Sequence, residues 1–153
     1  MSKANPVPRE TVLHVRDTCL CLHVQRAARA LGRRFDEAFR PLGITNRQFS
    51  LMMSLNRPKP PGMGEVSELL AMDRTTLTAA LKPLERRGLV KVMRNPDDRR
   101  GRVLTLTREG QDLLARAIPI WQRTHDEVDR RVAGMGPDRL REALRALLTN
   151  DSA

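Results

Sequence analysis

The chain has 153 residues, 40% of them hydrophobic, which suits one domain with one modest core. Its 28 Lys+Arg against 18 Asp+Glu leave a formal charge of +10, favouring a polyanionic partner and above all nucleic acid. No apolar run approaches the ~20 residues that span a bilayer, and aromatic residues are only 3%, with no Tyr, too few for the stacking that holds single strands. Duplex DNA is therefore the expected partner, and no membrane.

In chain order, Met1 to Arg9 is polar with two prolines and lacks the apolar stretch of a secretory signal, so a cytoplasmic location is expected. From Asp17 to Leu42 the residues Leu20, Val24, Ala27, Leu31, Phe35, Ala38 and Leu42 recur at spacings of three and four, predicting one amphipathic helix with Arg26, Arg29 and Arg33 on its far side. Its beginning, Cys19 to Val24, is apolar nearly all round, as in a helix end buried on both sides, and a second subunit is the simplest cover. Thr45 and Gln48 have the spacing of a capping box at the start of the next helix, whose apolar face carries Phe49, Met52 and Met53. Arg57 to Gly62, with three prolines, reads as a rigid connection. A short helix with Val66, Leu69 and Leu70 inward follows.

Asp73 is a good N-cap for the helix at the centre of the argument. With Leu77, Leu81 and Leu84 buried, about 100° per residue sends Thr75, Thr78, Ala79, Lys82 and Arg86 to the opposite face. That face is small and polar early, basic late, which suits a helix in a major groove: hydroxyls and methyls against base edges, cations against phosphates. Pro83 removes one backbone hydrogen bond and predicts a bend or loosened turn near Ala79. Val90 to Arg94 and Arg102 to Leu106 read as strands of a hairpin with the charged tip Asn95 to Gly101. Thr107 is the expected N-cap of a long helix carrying Leu114, Ala117, Trp121, Thr124, Val128 and Val132 on one stripe, with a kink expected at Pro119. A last helix begins at Asp138 and carries Leu140, Ala143, Leu144 and Leu147.

The stretches Leu70-Ala71-Met72-Asp73-Arg74-Thr75-Thr76-Leu77-Thr78, Leu84-Glu85-Arg86-Arg87-Gly88-Leu89-Val90, Asn95-Pro96-Asp97-Asp98-Arg99-Arg100 and Leu104-Thr105-Leu106-Thr107-Arg108-Glu109-Gly110, in this order and spacing, closely resemble the MarR family of transcription regulators. The resemblance implies a mainly α fold with a small β-hairpin wing, in which a winged helix-turn-helix is embedded in an all-helical dimerisation region. Residues 1–153 would be one such domain, with 17–42 and 107–148 forming the homodimer and 45–106 binding DNA. It implies a sequence-specific regulator, a repressor above all, on a pseudo-palindromic operator. The DNA-binding set is then Arg74, Thr75, Thr76, Thr78, Lys82 and Arg86 on the reading helix, with Asp98, Arg99, Arg100 and Arg102 in the wing. In the family the wing's Asp-x-Arg supports an arginine in the minor groove, and Asp98 and Arg100 occupy those positions.

Many members release DNA when a small aromatic compound enters a pocket between head and dimer region; Phe35, Phe39, Met52, Met53 and Trp121 are the residues available here, and plain core is the competing reading. Cys19 and Cys21 lie where peroxide-sensing relatives keep a reactive cysteine. Two apart in one helix, they point ~200° away from each other and cannot easily bridge, and inert, small buried thiols are the favoured reading. Cys19 and His23, four apart, lack the further ligands that a metal needs, so neither metal nor cofactor is expected. There is no G-x-S-x-G, no H-E-x-x-H and no phosphate-cradling glycine loop, so no enzyme is expected. A basic architectural protein that coats DNA without reading it is the alternative function.

Overall fold

The computed structural model describes residues 6–148, so residues 1–5 of the opening stretch read above as no signal peptide lie outside the described residues. Helices α1 (Arg9–Thr18) and α2 (Leu20–Phe39) lead through a 3-10 turn at Arg40–Leu42 to α3 (Asn46–Leu55), α4 (Met63–Leu69) and α5 (Arg74–Arg86). Strands β1 (Val90–Arg94) and β2 (Arg102–Leu106) follow, then α6 (Arg108–Arg131) and α7 (Pro137–Ala146).

Local capping explains most of these boundaries. Thr45 accepts the Gln48 backbone N–H while Gln48 reaches back to the Thr45 N–H, the complete capping box expected for α3. Thr107 caps α6 by accepting the Gly110 N–H at 3.0 Å and donates its hydroxyl proton to the Gly88 carbonyl at 2.6 Å. Gly88 itself stands at φ +68°, the left-handed conformation that ends a helix most cheaply on glycine. The helices α5 and α6 run on through Pro83 and Pro119.

The first long helix differs from the expectation. The chain breaks at Cys19, whose extended backbone (φ −66°, ψ 105°) ends α1 and starts α2, and whose Sγ accepts the Leu22 N–H at 3.4 Å. Cys19 is thus an N-cap and not a helical residue, and the ~200° separation of the two thiols no longer applies. The ten residues before the break form a helix that sequence patterning did not reveal. Leu69 is a second correction: expected inward, it is exposed and lines an open groove beside Met53 and Trp121, while Val66 is buried and Met63 packs against the core.

The core is drawn from the end of α2, from α3 to β2, and from the first half of α6. Phe39, Leu51, Met52, Val66, Leu77, Leu84 and Leu104 are fully buried, each worth about 1.5–3 kcal/mol relative to exposure. The hairpin is antiparallel in the register Val90↔Leu106 to Arg94↔Arg102. The Arg57 to Gly62 connection adds to it: Gly62 bridges Val103, and the Leu104 N–H donates to the Pro61 carbonyl at 2.9 Å. By contrast α1 and α7 bury no residue, and Val12, Val15, Leu20, Leu31, Leu144 and Leu147 all remain exposed.

Candidate nucleic-acid interface

The helix-turn-helix is α4, a tight turn and α5. The turn is closed by Ala71 N–H to the Glu68 carbonyl (3.1 Å) and Met72 N–H to the Ser67 carbonyl (2.9 Å), with Ala71 at φ +50°, a conformation costing a residue with a Cβ about 1–2 kcal/mol. Asp73 then starts α5, accepting the Thr76 N–H at 2.7 Å and the Thr76 hydroxyl at 2.8 Å. These bonds, the backbone one foremost, hold the Asp73 carboxyl below the usual carboxylate range.

The outer face of α5 presents Arg74, Thr75, Thr78, Ala79, Lys82 and Arg86 as exposed side chains, while Leu77, Leu81 and Leu84 point inward. Thr76 is half-buried and its hydroxyl is committed to Asp73, which makes it a structural member of the set. Thr78 donates its hydroxyl proton to the Arg74 carbonyl at 2.8 Å, so what it turns outward is a methyl group and an oxygen able to accept.

The wing tip is organised by its own backbone. Asn95 Oδ1 accepts the Asp97 N–H and Asp98 Oδ1 accepts the Arg100 N–H, each at 3.0 Å, and the Gly101 N–H donates to the Asp98 carbonyl. The support expected from Asp98 therefore reaches the backbone of Arg100 and not its guanidinium, as an Asx turn favours a partner two residues on. Among the described residues, Lys82, Arg86, Arg99, Arg100 and Arg102 enter no ion pair and are all exposed.

Sequence reasoning missed Arg47. It stands in the first turn of α3 and, with Thr45 and Gln48, faces Thr75, Ala79 and Pro83 of α5 across a surface groove of about 460 Å³. Its place opposite Phe49 and Met52 on the helix was a usable signal.

The aromatic and sulfur residues divide. Phe35, Phe39 and Met52 are packed core, with Phe39 stacked on Phe49 at 4.7 Å between ring centroids. Only Met53 and Trp121 of the expected pocket line an open groove, of about 370 Å³, together with Phe49, Leu69 and Ile118. Cys19 is half-buried and Cys21 exposed, its Sγ accepting from Gln25 at 3.2 Å, so the reading of both as buried apolar filler does not describe Cys21. Among the described residues no cluster of metal-ligating side chains occurs and no helix is long and apolar enough to cross a membrane.

The model of the MarR family matches residues 44–101, the stretch that holds α3, the helix-turn-helix, β1 and the tip of the wing. The transcriptional regulator HosA of Escherichia coli O111:H- is 31% identical over 107 residues, 69% of this chain and 78% of HosA. The chain belongs to the MarR family. Among solved structures, the M. tuberculosis transcriptional regulator MosR, in complex with DNA, is 36% identical with a TM-score of 0.77 over 85% of this chain and 93% of MosR. The organic hydroperoxide resistance transcriptional regulator of Bacillus subtilis (strain 168) is 28% identical over 101 residues, 66% of this chain and 69% of that protein. The mainly helical fold with its hairpin wing is thus that of MarR-family regulators, and these relatives are transcription regulators and not enzymes.

Proposed function

We propose that this MarR-family chain binds a pseudo-palindromic operator as a homodimer and represses transcription from it. The observation that carries the reading is the outward face of α5, small and polar at Thr75 and Thr78 and basic at Lys82 and Arg86, with the unpaired wing arginines on the same chain. The α5 face enters the major groove and Arg100 the minor groove, where narrow A·T tracts concentrate negative potential. The uncovered apolar faces of α1 and α7 support a partner subunit. Each subunit then covers one half-site, with centres ~10 bp apart or a multiple of a turn. Binding to operator and random duplexes tests this. Arg100→Ala weakens operator binding by ~1–3 kcal/mol and lowers the salt slope by about one unit, and Thr78→Ala relaxes preference at one inner base pair. Equal losses on both duplexes for both variants would instead favour the architectural, non-reading alternative.

A second reading concerns the signal. Cys19 sits at the joint between α1 and α2 and Cys21 is exposed two residues on, and one relative is named for organic hydroperoxide resistance. A hydroperoxide would oxidise one thiolate to a sulfenic acid and leave as the alcohol; the second thiol then closes a disulfide with loss of water. Peroxide should release wild-type protein from its operator, and Cys19→Ser and Cys21→Ser proteins should stay bound. Retention of wild-type protein under the same treatment would sink this reading.

A further inference from the structure

The far side of α2 carries cations that neither the reading helix nor the wing uses. Arg29 and Arg33, with Ala28, Gly32 and Asp36, form one wall of a cleft of about 590 Å³ whose other wall is Asn46 and Arg47 of α3. Arg26 continues the same ridge one turn back, beside His23. At Gly32 the cleft is open, since an added Cβ would meet nothing within 4 Å.

Charge pairing on α2 is selective. Arg34, on the packed side, pairs with Glu127 of α6, and Arg40 pairs with Glu37. Among the described residues, Arg26, Arg29, Arg33 and Arg47 make no hydrogen bond or ion pair through their side chains, and all four are exposed. The acid in the cleft, Asp36, is engaged, accepting the Asn46 backbone N–H at 2.6 Å. Cations at spacings of three and four on one helix repel one another, and a polyanion laid along them removes that repulsion.

The cleft also joins the site already described. Thr45 and Arg47 line both this cleft and the groove against Thr75, Ala79 and Pro83 of α5, so one continuous surface leads from the reading helix across α3 onto α2, with Asp36 as the carboxylate in its path.

We propose that Arg26, Arg29 and Arg33 form a second contact surface for the phosphate backbone of the same duplex, entered through Arg47. The proposal rests on the DNA-binding reading above. The surface contributes affinity and salt dependence but no base preference, because it meets phosphates alone.

The test is the protein carrying Arg26→Ala, Arg29→Ala and Arg33→Ala together, titrated against operator and random duplexes over a series of salt concentrations. A control carries Arg116→Ala, Arg123→Ala and Arg130→Ala, three exposed α6 positions outside any ion pair, and so has the same net charge. Circular dichroism establishes that both variants fold. The α2 variant should lose about tenfold or more in affinity on both duplexes alike, with a salt slope shallower by about two units or more, since each phosphate contact contributes about 0.9. The control should move the slope by less than about one unit. An α2 variant that matches the control, as it would if the ridge were a solvated face or held only small anions, overturns the proposal. A loss confined to the operator also overturns it. Failure of the DNA-reading proposal shows separately, as a wild-type protein that does not prefer operator over random duplex.

Discussion

Gly110→Ala sets two effects of opposite sign against each other. Gly110 lies in the first turn of α6, where general helix propensity favours Ala over Gly by about 0.5–1 kcal/mol. At this position, however, a Cβ would fall 2.1 Å from the Leu89 carbonyl oxygen, 3.1 Å from its carbon and 3.3 Å from a Leu106 methyl. The start of α6 would have to retreat by about 1 Å to relieve the contact. Retreat strains the Thr107 N–H to Leu89 bond at 3.0 Å and the Thr107 hydroxyl to Gly88 bond at 2.6 Å, each worth about 0.5–1.5 kcal/mol, on top of about 1–3 kcal/mol for overpacking. The contact wins: a net loss of about 2–4 kcal/mol is expected, or roughly 5–15 °C in Tm for a chain of this size. Urea unfolding at fixed subunit concentration measures it, with Gly32→Ala as the comparison. Gly32 is in mid-helix with nothing within 4 Å of an added Cβ, and should gain about 0.5–1 kcal/mol. A Gly110→Ala protein as stable as wild type would refute the claim that this close approach sets how the wing is joined to α6.

The segment from Thr45 to Leu106 was legible because its signals are local. The Thr45–Gln48 capping box, the Asp73 cap, the strand limits at Val90, Arg94, Arg102 and Leu106 and the Thr107 cap all depend on side chains within four residues of the backbone they serve. The outward face of α5 followed from helical geometry alone. What was not legible depends on contacts remote in sequence or on weak local preference. The break at Cys19 carries neither Gly nor Pro, and cysteine is not among the favoured N-cap residues. Helix α1 buries nothing within its own chain, and its apolar residues Val12, Leu13 and Val15 are too few to stand out as a repeating stripe. Asp98 was within reach of both the backbone and the guanidinium of Arg100, and spacing does not choose between them. Arg47 joins the arginines of α2 through contacts remote in sequence, Phe39 stacked on Phe49 and Asp36 accepting the Asn46 N–H across ten residues.

Thr107→Ala should cost about 1–2 kcal/mol by removing the α6 cap, and Thr107→Ser, which keeps the hydroxyl, should restore most of the urea midpoint. Asp73 has its folded pKa depressed by Thr76, so its contribution is present above the unfolded value near 4 and fades as pH falls through the folded one. Melting from pH 6 to 3 should show a shallower acid decline in Asp73→Asn than in wild type; identical declines would deny Asp73 this role. The last expectation concerns the uncovered helices. Helices α1 and α7 have ten residues each and bury none, and an isolated helix of that length is marginal in water, so a second subunit is the expected source of further surface that holds them. Leu144 on α7 and Leu147 at its C-cap, 41% and 54% exposed, are where that surface should be most apolar. A carboxylate desolvated there without a cation is heavily penalised. Sedimentation at micromolar concentration should find wild type dimeric and the Leu144→Glu, Leu147→Glu double variant monomeric, with lower helicity by circular dichroism. A double variant that stays dimeric would move the interface away from α7, and a wild type that is a folded monomer would remove the two-fold operator with it.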